Sequence, residues 1–221
     1  MVDENLTDEQ QAELVKNWWR ENGLFLIGGL VIGICGLFGW QAWQSNQVEI
    51  SQEASNAFQE LREASEQQRF NKASELHELI MKDYSGTPYA DSAELTLAAS
   101  YMKQANADKA ADVLQRLADQ TSNDDIRNIA KLRLGRVLLQ LEDYSRAEQV
   151  AIYAKDDAYT SVFADLRGDL AYAQGNIEAA RTAYTQALDS GGQSFSQAGY
   201  VRVKLNDLET VPEPSSEVVA E

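Results

Sequence analysis

The amino-acid sequence predicts an all-α protein in which a single N-terminal transmembrane helix is followed by an α-solenoid of antiparallel helix pairs. Three observations predict this fold. An uncharged apolar run of membrane-spanning length lies near the N-terminus. No later segment alternates in the manner of a β-strand, and helix-sized segments are instead separated by short turns. Small residues recur at a fixed period along the rest of the chain, as in a repeat protein.

The apolar run occupies residues 23–43, GLFLIGGLVIGICGLFGWQAW, and is predicted to be the transmembrane helix. About 20 helical residues cross a hydrocarbon core that is roughly 30 Å thick. Four flanking tryptophans are predicted anchors at the membrane–water interface, where indole rings are favoured: Trp18, Trp19, Trp40 and Trp43. The run is longer than that of a signal peptide, and the segment before it is acidic rather than basic. Both features predict that the anchor is retained.

Three glycines of this run, Gly29, Gly33 and Gly36, fall on one face of the helix. Small residues let transmembrane helices approach closely, so this face is a candidate for packing against a second copy or another membrane protein. The alternative is the glycine enrichment that membrane helices show in general. Both interpretations stay open.

The basic residues near the run predict its orientation. Lys16 and Arg20 closely precede the run, whereas the first basic residue after it is Arg62. The positive-inside rule therefore places the N-terminus in the cytoplasm and the large C-terminal domain across the membrane. Residues 1–22 are predicted to be a cytoplasmic amphipathic segment. Residues 209–221 are acidic with two prolines, and are predicted to be a disordered tail.

Residues 44–208 are predicted to form a tetratricopeptide-like repeat domain. Gly135 and Gly168 are 33 residues apart, as are Ala147 and Ala180. Small residues at a period of this size, one in each helix of a pair, are typical of tetratricopeptide repeats. Two less regular copies precede these. A closing helix is predicted over residues 195–208, with these residues on its apolar face: Tyr200, Val201, Leu205 and Leu208.

Composition and motifs predict no enzyme, no cofactor and no metal. The net charge of −16 disfavours binding to nucleic acids. The one cysteine, Cys35, lies in the apolar run, so no thiolate cluster is available for zinc. The one histidine, His77, is predicted to be an exposed helix residue. The sequence contains no glycine-rich phosphate-binding loop and no recognisable nucleophile motif.

The function is therefore expected to lie in a binding surface. In stacked repeats the first helices of the pairs line a groove. The repeat register gives these candidate groove residues: Leu95, Ala99, Met102, Ile129, Leu132, Arg136, Leu139, Val162, Asp165, Asp169 and Tyr172. The alternative is that several of these side chains pack within the domain instead.

Three segments resemble a known family. They are KNWWRENG from Lys16, GWQAWQSNQVE from Gly39 and FADLRGDLAYAQGNIEAARTAY from Phe163. Together with the layout of anchor and repeats, they resemble the YfgM family of Gram-negative bacteria, the ancillary subunit of the SecYEG translocon. The resemblance covers residues 10–208.

The resemblance implies a single-pass protein of the bacterial inner membrane with a periplasmic repeat domain. It implies association with the SecYEG translocon and with PpiD, a membrane-anchored periplasmic chaperone, and assistance to newly translocated client polypeptides. Two alternatives to this function stay open. One is a scaffold for another cell-envelope assembly machine, and the other is a membrane regulator that acts through its cytoplasmic N-terminus.

Overall fold

In the computed structural model, residues 8–152, 157–192 and 195–210 are described, and every regular element within them is a helix. The all-α prediction is thereby confirmed. The chain divides into two compact units, Met1–Glu53 and Ala54–Glu221. The predicted acidic tail lies outside the described residues except for Glu209 and Thr210, which end the last helix.

The N-terminal unit consists of the first part of helix α1 (Asp8–Glu66). This helix contains an apolar window with a mean hydropathy of 2.1, of which only 6% is buried. Its large apolar side chains face outward; Leu24 and Phe25, for example, are 81% and 80% exposed. Such a surface suits hydrocarbon rather than water. The helix is therefore a candidate transmembrane span, as the sequence predicts.

The C-terminal unit is a series of helix pairs. The part of α1 from Ala54 onward packs against α2, and three further pairs and a closing helix follow. The bounds are α2 (Phe70–Asp83), α3 (Pro88–Lys103), α4 (Ala107–Gln120), α5 (Asp124–Gln140), α6 (Tyr144–Ala151), a 3-10 turn (Asp157–Tyr159), α7 (Thr160–Ala173), α8 (Ile177–Gly191) and α9 (Ala198–Thr210). This arrangement is the predicted repeat of helical hairpins.

The core is shared between neighbouring pairs. Leu97 of α3, Leu114 of α4 and Leu138 of α5 belong to one cluster of buried side chains, which Leu170 of α7 also joins. One pair alone would leave this apolar surface in water, so each pair is stabilised chiefly by the next.

The four hairpin turns share one backbone conformation. Gln68, Ala105, Glu142 and Gly175 have φ values of 58°, 55°, 58° and 77°, and each lies between the two helices of its pair. In the last three hairpins an Asn or Asp follows and caps the second helix. Asn106 Oδ1, for example, accepts from the backbone N–H of Lys109 at 3.3 Å. The positive φ favours glycine, which only the fourth hairpin has.

Replacing Ala105 by glycine is expected to stabilise the protein by about 0.5–1 kcal/mol. The left-handed conformation costs an L-residue about 1–2 kcal/mol, and the entropy of glycine in the unfolded chain offsets part of the gain. The reverse change, Gly175→Ala, is expected to destabilise. Chemical denaturation of the full chain in detergent measures both variants, and a loss of stability in Ala105→Gly would contradict the expectation.

Candidate functional site

The candidate binding surface, called the inner face below, is the side of the C-terminal unit formed by the first helix of each pair, which lines the groove of stacked repeats: α1 from Ala54, α3, α5 and α7. The predicted groove residues lie on α3, α5 and α7. Ala99, Arg136 and Tyr172 are exposed, whereas Asp165 is buried. The others are half-buried: Leu95, Met102, Ile129, Leu132, Leu139, Val162 and Asp169. Several of these, including Met102 and Leu139, also pack against core clusters.

At its C-terminal end the inner face is occupied by α9. Lys204 of α9 donates to Asp165 Oδ1 at 2.7 Å and to Asp169 Oδ1 at 2.6 Å. Arg136 Nη2 lies 3.8 Å from Asp165 Oδ2 and donates to Gln197 Oε1 at 3.3 Å. These three predicted groove residues therefore contact other parts of the same chain: the two acids bind Lys204 of the closing helix, and Arg136 binds Gln197 just before it.

The same contacts shift the pKa values of Asp165 and Tyr184 at this end of the inner face. Burial raises the pKa of Asp165; the hydrogen bond from Lys204 opposes this shift, and the nearby charge of Asp169 adds to it. Burial also raises the pKa of Tyr184, and the hydrogen bond that its hydroxyl donates to Asp169 at 2.8 Å raises it further. Lys204 Nζ lies 5.5 Å from the Tyr184 ring centroid. The contacts thus join α7, α8 and α9 through one network.

At its N-terminal end the inner face holds an open cavity of about 360 Å³. Its lining comes from α1, α3 and α5: Phe58, Arg62, Ser65, Glu66, Ser92, Leu95, Thr96, Ala99, Lys103 and Arg133. Two of these, Leu95 and Ala99, are among the predicted groove residues. Sequence analysis missed the basic side chains of the lining, because the repeat register was applied only from α3 onward and selected mainly apolar positions.

A buried charge cluster joins the first two helix pairs. Glu94 of α3 accepts from Arg116 of α4 at 3.2 Å and 3.0 Å, and its Oε2 lies 3.5 Å from His77 Nε2 of α2. The prediction that His77 is exposed was wrong: it is only 8% exposed, because α3 covers it. Burial alone would raise the pKa of Glu94, but the neighbouring His77 imidazole and the hydrogen bonds from Arg116 outweigh it and lower the pKa.

The cluster has no features of a metal site. Among the residues that the structure describes, no group of three or more His, Cys, Asp or Glu side chains is placed to hold a metal ion. Cys35, on α1, is exposed. Glu94 and its partners instead have the geometry of a structural ion pair, with both carboxylate oxygens bonded to one guanidinium.

In the N-terminal unit the predicted packing face is open. Beyond the adjacent residues and backbone of its own helix, a Cβ atom added at Gly29, Gly33 or Gly36 would meet no atom within 4 Å. The four predicted interface anchors, Trp18, Trp19, Trp40 and Trp43, are each more than half exposed. The rings of Trp40 and Trp43 lie 5.3 Å apart between centroids. Contact of this face with another membrane helix stays a prediction.

Comparison with known proteins agrees with this architecture. The family model of the tetratricopeptide repeat-like domain matches residues 16–210. A protein of Haemophilus influenzae is 29% identical over 204 residues, covering 92% of this chain and 98% of its own length. One from Aggregatibacter actinomycetemcomitans is 30% identical with the same coverage. One from Escherichia coli K12 is 29% identical over 201 residues, covering 91% of this chain and 96% of its own length. Each relative is named an ancillary SecYEG translocon subunit.

Fold and surface together define a tetratricopeptide-like repeat protein with one candidate transmembrane helix and an open inner face. The chain belongs to the family of ancillary SecYEG translocon subunits, as the sequence resemblance implies. A solved structure, MamA MSR-1 C2, aligns at 18% identity over 71% of this chain and 97% of its own, with a TM-score of 0.44. That likeness is too weak to support any conclusion about this chain.

Proposed function

We propose that the protein is a non-enzymatic, membrane-anchored adaptor that associates with the SecYEG translocon and helps newly translocated polypeptides. The observation that carries the proposal is the match, over nearly their whole length, to relatives named ancillary SecYEG translocon subunits. The open inner face of the repeat domain supports a binding role. Its partners would be client polypeptides and a PpiD-type anchored chaperone.

In this proposal the N-terminal unit anchors the protein and the C-terminal unit binds its partners. The anchor would hold the chain in the bacterial inner membrane as a single-pass protein, with residues 1–22 in the cytoplasm, residues 44–208 in the periplasm and an acidic tail after them. Lys16 and Arg20 support this orientation. A binding domain tethered near its ligand acts at a raised effective concentration, so even a weak groove would be occupied beside a translocating chain.

Co-purification and site-specific crosslinking in native membranes test the proposal together. A photoreactive side chain replacing Gly33 is expected to capture translocon subunits, and one replacing Ala99 to capture client or chaperone polypeptides. The matched control replaces Asp112, an exposed residue of α4 that does not line the cavity, and is expected to capture neither. Absence of translocon subunits from gently solubilised preparations would reject the proposal.

The same preparations also separate the two other functions. Recovery of a different envelope-assembly machine, without translocon subunits, would favour a scaffold. Deleting residues 2–15 is expected to leave translocon association intact, whereas a regulator acting through its N-terminus would lose its partner.

A further inference from the structure

The two ends of the inner face differ in their charged groups, because the acids at the C-terminal end are paired with bases, whereas cations outnumber acids at the N-terminal end. At the C-terminal end, the carboxylates of Asp165 and Asp169 are already bonded to Lys204. At the N-terminal end, the cavity lining contains three cations, Arg62, Lys103 and Arg133, and one carboxylate, Glu66. This basic lining lies in a chain whose net charge is −16.

Two of the three cations have no acidic partner in the described part of the chain. Arg62 Nε lies 3.6 Å from Glu66 Oε1, in an exposed pair. Lys103 donates to a backbone oxygen, that of Ser65, at 3.2 Å. Within residues 8–152, 157–192 and 195–210, no carboxylate lies within ion-pairing distance of Lys103 or of Arg133, which is exposed. The lining therefore offers positive charge that the described part of the chain does not neutralise.

The cavity also has an apolar floor. Phe58 of α1 and Leu95 and Ala99 of α3 line it together with these cations. Lys103 lies one helical turn after Ala99, so a ligand bound to the lysine is also close to the apolar side chains of the lining. A small inorganic anion would leave the apolar part in water. The combination fits a ligand that has carboxylates and apolar side chains close together.

The packing of α9 shows how a polypeptide can use such a face. Lys204 bonds to the carboxylates of α7, while Val201 and Leu208 of the same helix are buried with Ala164 and Ala180. A charged side chain thus orients the segment, and neighbouring apolar side chains supply buried area. The N-terminal end of the inner face offers the same combination with the charges reversed.

We propose that the N-terminal end of the inner face binds a segment of a partner protein in which acidic side chains alternate with apolar ones. The proposal rests on the proposed function, because it names the chemistry of the polypeptides that the adaptor takes. Charge complementarity selects the segment: Lys103 and Arg133 attract it, whereas the acidic remainder of the chain repels it. The small cavity gives weak, reversible binding suited to transient contacts.

The binding test uses two short synthetic peptides of equal length, since grooves recognise peptides by a few anchoring side chains. In one, glutamate alternates with leucine and valine; in the other, lysine replaces each glutamate. Fluorescence anisotropy is measured with the full chain in an uncharged detergent. The acidic peptide is expected to bind about tenfold or more tightly than the lysine peptide, and to lose affinity as salt is added.

Charge reversal locates the site. The double variant Lys103→Glu with Arg133→Glu is expected to bind the acidic peptide about tenfold or more weakly than the original chain. The matched control, Lys82→Glu with Lys109→Glu, makes the same change in charge on α2 and α4, outside the cavity. It is expected to bind almost as the original chain does. Circular dichroism and thermal unfolding check that both variants are folded. The milder double variant Lys103→Gln with Arg133→Gln is expected to bind the acidic peptide with an affinity between those of the original chain and the charge-reversed variant.

Three results would overturn the proposal. The first is equal affinity for the two peptides. The second is an equal loss of affinity for the acidic peptide in the Lys103→Glu/Arg133→Glu variant and in its control. The third is much tighter binding of that peptide once residues 211–221 are removed. The last would assign the cavity to the chain's own acidic tail rather than to a partner. Translocon co-purification, run on the same variants in membranes, tests the proposed function separately, since it depends on the anchor rather than on these two cations.

Discussion

Gly168→Ala is expected to destabilise the repeat domain by about 2–3 kcal/mol, because overpacking of a close contact outweighs the helix propensity gained. A Cβ at this position would lie 2.3 Å from Cε1 and 2.4 Å from Cδ1 of Tyr184. The ring cannot move aside freely, because its hydroxyl is bonded to Asp169 and Lys204 lies over its face. The added methyl group would therefore separate α7 from α8 and disturb the α9 contacts. Chemical denaturation of the full chain in detergent measures the loss.

Gly135→Ala is the matched control, since this glycine occupies the equivalent position one repeat earlier. Its added Cβ would lie 2.5 Å from Leu166 Cδ2, the far end of a flexible side chain. Leu166 is buried, but the end of its side chain can shift more easily than a hydrogen-bonded ring, and alanine gains about 1 kcal/mol of helix propensity over glycine. A loss smaller than that of Gly168→Ala is expected. Equal losses in the two variants would show that the Tyr184 contact is not the cause.

Glu94→Gln is expected to destabilise the protein by about 2–3 kcal/mol at neutral pH. The change removes the charge that compensates Arg116 and leaves the buried His77 without its acidic neighbour. Breaking one side of a buried ion pair costs about 3–5 kcal/mol, and the lower figure applies because the Arg116 side chain is 44% exposed. Unfolding of the variant, compared with Glu60→Gln at an exposed site, measures the difference.

The effect of Glu94→Gln should depend on pH in one direction. The pKa of Glu94 is lowered in the folded protein from its ordinary value of 4.5. Its ionised form therefore adds stability above about pH 4.5, and this contribution is lost as the pH falls through the lowered pKa. The gap in unfolding temperature between the original chain and the variant is expected to narrow from about pH 7 to about pH 3. A constant gap would contradict the assignment.

The long apolar helix and the repeat were predictable because both depend on local or periodic properties of the chain. Residues 23–43 have the length and polarity of a membrane span regardless of what surrounds them. The 33-residue spacing of Gly135 and Gly168 predicted the repeat, and both glycines are closely covered, Gly135 by Leu166 of the next pair and Gly168 by Tyr184 of its own pair. The hairpin turns were likewise visible as short polar breaks between helix-sized segments.

The remaining features depend on which helices meet, and the repeat period does not contain that information. Asp165 was assigned to an open groove, yet Lys204 reaches it from a helix 39 residues later. The orientation of α9 was only partly predicted: Val201 and Leu208 are buried, but Tyr200 is 78% exposed. His77 was predicted to be exposed, because its burial results from the packing of α2 against α3 and not from the sequence around it.

The closing helix α9 limits how far the stack of helix pairs can grow. A solenoid whose units match their neighbours has no inherent last unit, and an uncovered end could accept the first pair of another molecule. In this chain the apolar end surface around Ala164, Ala180 and Ala187 is filled by Val201 and Leu208, and Lys204 neutralises the adjacent acids. Loss of α9 is therefore expected to expose this surface and to cause head-to-tail association of chains, seen as particle size that grows with protein concentration.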